Sequence, residues 1–352
     1  MAKCMLEVDS KFMARCIELA RCGAGYVSPN PMVGAVVVYD GKIIGEGFHR
    51  RCGEAHAEVN AIASVVDKSL LRDSTLYVSL EPCSHYGKTP PCAELIINMG
   101  IPRVVVGCMD PFPEVSGRGV RMLRVAGVEV VTGVMEREAR ELNHAFMTLQ
   151  QEDRPYVILK WAQSEDGFID MKREDASTPA VRLSTSFTTR MVHKLRSEVS
   201  AIMVGRRTAS LDNPSLNVRE WVGNSPVRVL LDRRLSVPTS YRLFDGSIKS
   251  LVFTEMSAQN MDNLEYVTID FSSPVIPQVL RELAMRKLDS LLVEGGACLI
   301  NSFVESGLWD EARVEIAPIC LGDGVVAPKL PPASAFVRDG SICYLYRRGR
   351  EV

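Results

Sequence analysis

The reading turns on His56-Ala57-Glu58, which opens HAEVNAIASVV (residues 56–66), and on EPCSHYGKTPPC (residues 81–92). His56, Cys83 and Cys92 offer one imidazole and two thiols. That donor set suits a zinc ion whose fourth position stays open. Glu58 stands two residues after the histidine and is not needed as a ligand. A carboxylate beside a metal-activated water can carry its proton. Residues 56–66 read as a helix with Val59, Ile62, Ala63 and Val66 on the buried stripe. Residues two apart on a helix point about 200° apart. His56 and Glu58 can therefore meet at one metal only from the first turn, facing along the axis. The positive end of the helix then lies close to developing negative charge. The competing reading is a structural zinc with His85 as fourth ligand. Structural sites are almost always four-coordinate, so an open position beside a base favours the catalytic reading.

Around this stretch the chain alternates strands and helices. Asp9 or Ser10 is a candidate N-cap for a helix with Phe12, Met13, Cys16, Ile17 and Ala20 at helical spacing. Gly23 and Gly25 end it. Residues 28–31 form a rigid loop, and 32–39 are β-rich. Asp40-Gly41 is a hairpin turn, and 42–48 return. The run Ala35-Val36-Val37-Val38 is apolar enough to be buried on both faces. Asn30 and His49 flank this hairpin; each reads as a locally satisfied polar group or as a substrate contact. Strands over 75–80, 101–108 and 128–132 alternate with helices over 92–99 and 119–126. This pattern is that of an α/β sandwich with helices on both faces. One helix over 135–150 leads to a boundary near Glu152-Asp153-Arg154-Pro155, so the domains are 1–152 and 153–352.

At 352 residues the chain is long enough for two cores. Its net charge of −2 argues against a nucleic-acid partner. None of its apolar runs approaches the length of a membrane span, and a secretory signal is not expected. Of ten cysteines, two are claimed by the metal site, and the others, scattered along a chain of this size, read as reduced thiols of a cytoplasmic protein.

The second half opens with YVILKWA (residues 156–162) and an Asp166-Gly167 turn. Lys160 in this apolar strand is either an edge lysine snorkelling to solvent or a group near substrate. Ser184 or Thr185 caps a helix through Glu198, with His193 and Arg196 on it. Strands follow over 201–205, 227–232 and 290–294. The last leads into Gly295-Gly296 and a helix, where backbone can approach a phosphate. The dinucleotide fingerprint G-x-G-x-x-G is absent.

EPCSHYGKTPPC, HAEVNA and PNPMVGAVVV together resemble the deaminase half of the bifunctional riboflavin-biosynthesis deaminase/reductase family. Zinc nucleobase deaminases usually carry Pro-Cys-x-x-Cys, whereas here the two cysteines are nine positions apart. The insert carries His85, Lys88 and Thr89, which suit an anionic phosphate. LKWAQSEDG (159–167), VGRRTASLDNPSLNVR (204–219) and LLVEGGACLINSFVESGLWDE (291–311) resemble the reductase half.

The resemblance implies a cytidine-deaminase-like α/β/α sandwich followed by a dihydrofolate-reductase-like α/β domain. Zinc would be held by His56, Cys83 and Cys92, with Glu58 as proton shuttle. Asn30, His49, His85, Lys88 and Thr89 would hold a pyrimidine ribonucleotide. In the reductase half, Arg196, Leu216, Arg219 and Glu294 match substrate positions, and Ala162, Thr208, Asp212, Gly295 and Gly296 match NADPH positions. Arg206, Arg207 or Arg233 would favour NADPH through its extra phosphate. Lys160, Asp212 and Glu294 are the polar candidates for orientation or protonation. A homo-oligomer, dimer or tetramer, is also implied. Two departures stand out: Glu165 where the family often has leucine, and Arg182 where it often has tryptophan. They leave an alternative, a zinc deaminase of another base or nucleoside with a degenerate reductase domain.

Overall fold

The computed structural model describes residues 2–86, 90–112, 116–330, 334–338 and 341–347. It divides into two compact units, Met1–Asp153 and Arg154–Val352.

The first unit is built on five strands: β1 (Gly34–Tyr39), β2 (Lys42–Phe48), β3 (Thr75–Leu80), β4 (Arg103–Cys108) and β5 (Glu129–Thr132). Their order is β2-β1-β3-β4-β5, with β3, β4 and β5 parallel. Asp40 and Gly41 both have positive φ, 46° and 69°, as a tight primed hairpin turn requires. Side chains of a strand alternate faces. Ala35 and Val37 pack with Ala57, Ala61, Ala93 and Ile96, from helices α2 (Ala57–Ser64) and α3 (Cys92–Asn98). Val36 and Val38 pack on the opposite face with Met13, Cys16 and Ile17 of α1 (Ala2–Arg21). Burying such a side chain contributes roughly 1.5–3 kcal/mol, so this strand binds two helical layers together. Gly34 is required there, because a Cβ would lie 2.0 Å from the Cys16 carbonyl oxygen. Helix α4 (Arg118–Val125) follows β4.

Three expectations are corrected here. Helix α2 ends at Ser64, so Val66 is exposed, as is Ala63, and the buried residues of the helix are Ala57, Glu58, Ala61 and Ile62. Helix α1 does not begin at Asp9 but runs through it. Asp9 is buried and accepts bonds from the Arg103 guanidinium at 2.9 and 3.1 Å and from the Tyr77 hydroxyl at 2.7 Å. The helix expected over 135–150 is two, α5 (Glu136–Leu142) and α6 (His144–Glu152). They part at Asn143, whose side chain accepts from the Met32 N–H at 2.8 Å and donates to the Met32 carbonyl at 2.9 Å.

The second unit holds a nine-stranded sheet in the order β11-β10-β9-β8-β12-β6-β13-β16-β15. Its strands are β6 (Tyr156–Ser164), β8 (Ala201–Gly205), β9 (Val227–Leu231), β10 (Ser250–Thr254), β11 (Leu264–Thr268), β12 (Ser290–Glu294), β13 (Glu311–Ala317), β15 (Ser334–Arg338) and β16 (Ser341–Arg347). Short β7 (Phe168–Asp170) and β14 (Val325–Val326) pair apart from it. Only β16 runs against the other strands of this sheet, so the C-terminal ends of β6, β8 and β12 lie at one end of it. Helices α7 (Ser186–Glu198), α8 (Arg206–Asp212), α9 (Val275–Met285) and α10 (Ala297–Ser306) flank the sheet. Thr185 caps α7 by accepting from the Thr188 N–H. Strand β6 is interior, between β12 and β13, so Lys160 is not an edge lysine. It lies in register with Glu294 on one side and Arg313 on the other.

Candidate active sites

In the first unit, His56 is the N-cap residue of α2, and Glu58 sits buried in its first turn. The nearby turn is closed by the Ala93 N–H, which donates to the Cys83 carbonyl at 3.1 Å. This carries Cys83 and Cys92 to the same point. Cys83 Sγ lies 3.6 Å and Cys92 Sγ 3.4 Å from His56 Nδ1. The three ligand atoms fall within 4.8 Å of one another, and the cluster has only these members among the described residues. His85 is outside the group, which weakens the four-ligand structural reading.

The electrostatics fit a divalent cation. The contact with Cys92, followed by that with His56, holds the Cys83 thiol well below the usual thiol range against the cost of burial. The same contact, aided by burial, pushes the Cys92 thiol up. Two thiols in contact favour sharing one proton between them, which a zinc ion would displace. Burial, then the Cys83 charge, pushes Glu58 up to about 7.

Asn30 and His49 are brought together beside this cluster. The His49 ring meets that of His56 edge-on, with centroids 5.6 Å apart. His49 Nδ1–H donates to the Ala55 carbonyl at 3.1 Å, so Nε2 accepts from the Asn30 amide at 3.2 Å. Burial lowers the pKa of His49. His85 is exposed, and Lys88 and Thr89 lie outside the described residues.

Sequence reasoning passed over Glu81 and Asp110. Buried Glu81 accepts from Gly117 N–H at 2.9 Å, Val120 N–H at 3.2 Å and Asp110 N–H at 3.3 Å. It thereby ties the turn before Cys83 to the start of α4. Burial raises the pKa of Asp110, with Glu81 and Cys83 adding to the effect. The available signal was a carboxylate on each side of a buried strand end.

In the second unit, Glu294 ends β12 and makes a two-point pair with Arg196 of α7, at 2.6 and 2.9 Å. Burial opposes the charge on Glu294, yet Arg196 holds its pKa below the usual carboxylate range. Arg196 also donates to the Asn217 carbonyl at 3.2 Å, beside Leu216. Leu216 is buried with a φ of 46°. The Arg219 side chain is 55% exposed, beside Glu220 at 3.8 Å and donating to the Asn217 side-chain oxygen at 3.3 Å.

Gly295 and Gly296 have φ of 110° and 51°, and a Cβ on Gly295 would lie 2.9 Å from Thr208. Bare backbone thus faces Thr208 of α8 at the start of α10, a cradle that fits a dinucleotide phosphate. Asp212 pairs with Arg173 at 2.6 Å, and Arg173 also binds Asp170 at 2.7 Å. Arg173 is a further residue that sequence reasoning passed over. Ala162 lies on β6 opposite Glu315 of β13. Arg233 follows β9 and pairs with Glu255 at 2.7 Å, its guanidinium 5.5 Å from the Phe271 ring. Arg182 does not replace the tryptophan with another apolar surface: it is exposed and turns back onto the Ser184 carbonyl and Ser186 hydroxyl.

Residues 155–340 match the family described as "RibD C-terminal domain", and residues 6–108 match "Cytidine and deoxycytidylate deaminase zinc-binding region". The chain is 42% identical over 341 residues to riboflavin biosynthesis protein RibD of Bacillus amyloliquefaciens, covering 94% of this chain and 89% of that protein. It is 40% identical over 324 residues to RibD of Aquifex aeolicus, covering 91% and 89%. Its fold is similar to the crystal structure of a diaminohydroxyphosphoribosylaminopyrimidine deaminase/5-amino-6-(5-phosphoribosylamino)uracil reductase from Thermotoga maritima. The TM-score is 0.88 at 39% identity, over 97% of this chain and 99% of that one. Acinetobacter baumannii RibD follows, with a TM-score of 0.86 at 32% identity, over 97% and 98%.

Proposed function

We propose, from the premise that this chain belongs to the RibD family of bifunctional riboflavin-biosynthesis deaminase/reductases, that it carries out both steps on one pyrimidine ribonucleotide. The enzymes of this family carry zinc and NADPH. The substrate is the one named for the Thermotoga relative, the diaminopyrimidine ribosylamino phosphate. The deaminase half spans 1–152 and the reductase half 153–352. The observation that carries the reading is the convergence of His56, Cys83 and Cys92 beside buried Glu58.

Zinc, when bound, supplies Lewis acidity that activates water. His56, Cys83 and Cys92 would hold it. Glu58 would accept a proton from the attacking water and pass it to the amino group, which would leave as ammonia while the water oxygen takes its place on the ring carbon. Asn30 and His49 line the pyrimidine side. His85, Lys88 and Thr89 serve the phosphate.

NADPH, when bound, supplies the hydride for the second step. The Gly295-Gly296 backbone, Thr208, Asp212 and Ala162 receive it, and Arg233 favours its extra phosphate by exchanging Glu255 for it. The Arg196–Glu294 pair, Leu216 and Arg219 orient the ribosyl phosphate, and Lys160 lies beside Glu294. The assembly is a homo-oligomer working in the cytoplasm. The test is incubation with the diaminopyrimidine phosphate, with and without NADPH, reading product masses. Loss of one amino group without NADPH, and a gain of two hydrogens only with it, is the expected result. Reduction that never occurs would leave the deaminase reading alone.

A further inference from the structure

We propose that His193 is a positioning residue of the reductase half, whose neutral imidazole holds the loop bearing Leu216 and Arg219 in its substrate-receiving conformation. The inference rests on reading Leu216 and Arg219 as substrate contacts.

The geometry is a row on one helix. His193 lies on α7 and is buried. Its Nδ1 accepts from the Arg219 backbone N–H at 3.3 Å. Arg196, three residues on, donates to the Asn217 carbonyl at 3.2 Å. A Cβ built on Gly223 would lie 2.7 Å from the Ser197 Cβ, so the loop also presses on the helix there. Positions 193, 196 and 197 share one helical face. That face is a template for residues 217–223.

The loop needs a template. Asn213 and Leu216 have φ of 40° and 46°, a region that non-glycine residues occupy at a cost. Such conformations persist only where the surroundings hold them. Arg196 is braced by Glu294, so its hold on Asn217 is rigid. His193 supplies the next anchor, at Arg219 itself. The backbone is pinned while the side chain remains at the surface.

Accepting at Nδ1 requires the ring proton on Nε2. Charging the ring puts a second proton on Nδ1, which would then face the Arg219 N–H as donor against donor. The groups facing His193 are Arg196 on its own helix, Arg219 and Glu220 on the loop, and Glu294 at the end of β12. Burial, then the two arginines, hold its pKa below the ordinary value, while the two glutamates oppose them. The ring is therefore neutral at neutral pH, and the anchor is lost as pH falls through the lowered pKa.

The experiment uses the full-length chain and three variants: His193→Gln, His193→Leu and Arg219→Ala. Glutamine offers an oxygen that can accept the same N–H; leucine does not. Reductase kinetics are measured on deaminated substrate with NADPH from about pH 5.5 to 8. NADPH affinity and kcat of each variant, both read in the reductase half, control for its folding. In parallel, long-range proton–nitrogen spectra of the five histidines identify the His193 tautomer by its loss in His193→Gln. The expected spectrum is Nε2–H with Nδ1 as acceptor at neutral pH. His193→Leu should raise the substrate KM about 5- to 10-fold with little change in kcat, the scale of one hydrogen bond. The parent KM should climb toward acid pH, and His193→Gln should keep a low KM and flatten that rise. A parent-like KM and pH profile in His193→Leu, alongside a raised KM in Arg219→Ala, would overturn the role of His193. An Nδ1–H tautomer would overturn it without any kinetics. An unchanged KM in Arg219→Ala would instead remove the substrate reading of the loop, and the inference with it.

Discussion

At the scale of the residue, Glu58 is the sharpest case. It is a buried carboxylate in the first turn of α2, beside two sulfurs and an imidazole. Nothing in the packing demands an acid at that position, and burial alone makes its charge costly. Glu58→Gln keeps the shape and removes the base. Deamination is expected to fall by about 10²–10⁴-fold, with zinc content unchanged, as ammonia release and elemental analysis would show. Deamination at the parent rate would mean that the proton travels by another route. Cys83→Ser should instead lower zinc occupancy, because an alkoxide is a poor substitute for a thiolate ligand. The residue types and the order of this site were legible in the sequence. Glu81 was not, because its three backbone partners lie 29 to 39 positions away.

Elements show where local pattern and tertiary context diverge. Asp9 reads as a helix cap, but its partner Arg103 is 94 positions distant, and pairing lets the helix run past it. Arg103→Met would leave Asp9 buried without its cation. The expected loss is about 3–5 kcal/mol, read as a lower urea midpoint for loss of deaminase activity. An unchanged midpoint would show that Tyr77 alone satisfies Asp9. The strand-to-helix junction at Gly295 makes the opposite demand. Gly295→Ala forces a Cβ to within 2.9 Å of Thr208 at a φ of 110°. Binding of NADPH, followed by its fluorescence, should weaken about 5- to 150-fold if strain of about 1–3 kcal/mol falls on the cradle. Equal binding by the variant would move the cofactor away from this junction.

At the scale of the whole molecule, the two compact units imply separable chemistry. Glu294→Gln weakens the brace on Arg196 and should impair reduction while ammonia release continues. Glu58→Gln should do the reverse on deaminated substrate. If either variant stops both steps on their own substrates while remaining folded, two independent sites cannot be right. Cofactor choice is a further test. Arg233 must leave Glu255 to meet a phosphate, so NADPH should be preferred over NADH in kcat/KM, and Arg233→Ala should narrow that preference. Equal kcat/KM for both cofactors in the parent would dismiss the role of Arg233.

From the sequence by itself came the donor set His56, Cys83 and Cys92, the first-turn requirement on Glu58, the doubly buried run from Ala35 to Val38 and a cap at Ser184 or Thr185. These follow from residue chemistry and short-range periodicity, which need no knowledge of distant neighbours. Tertiary structure alone decided that Asn143 would break a helix to bind Met32 and that Lys160 would lie on an interior strand. It also paired Arg196 with Glu294 and Arg173 with Asp212. Each depends on contacts between segments 39 to 153 positions apart. Helical and strand periodicity carries no information about which distant groups will meet; the cost of burying a polar or charged group unpaired selects among those meetings.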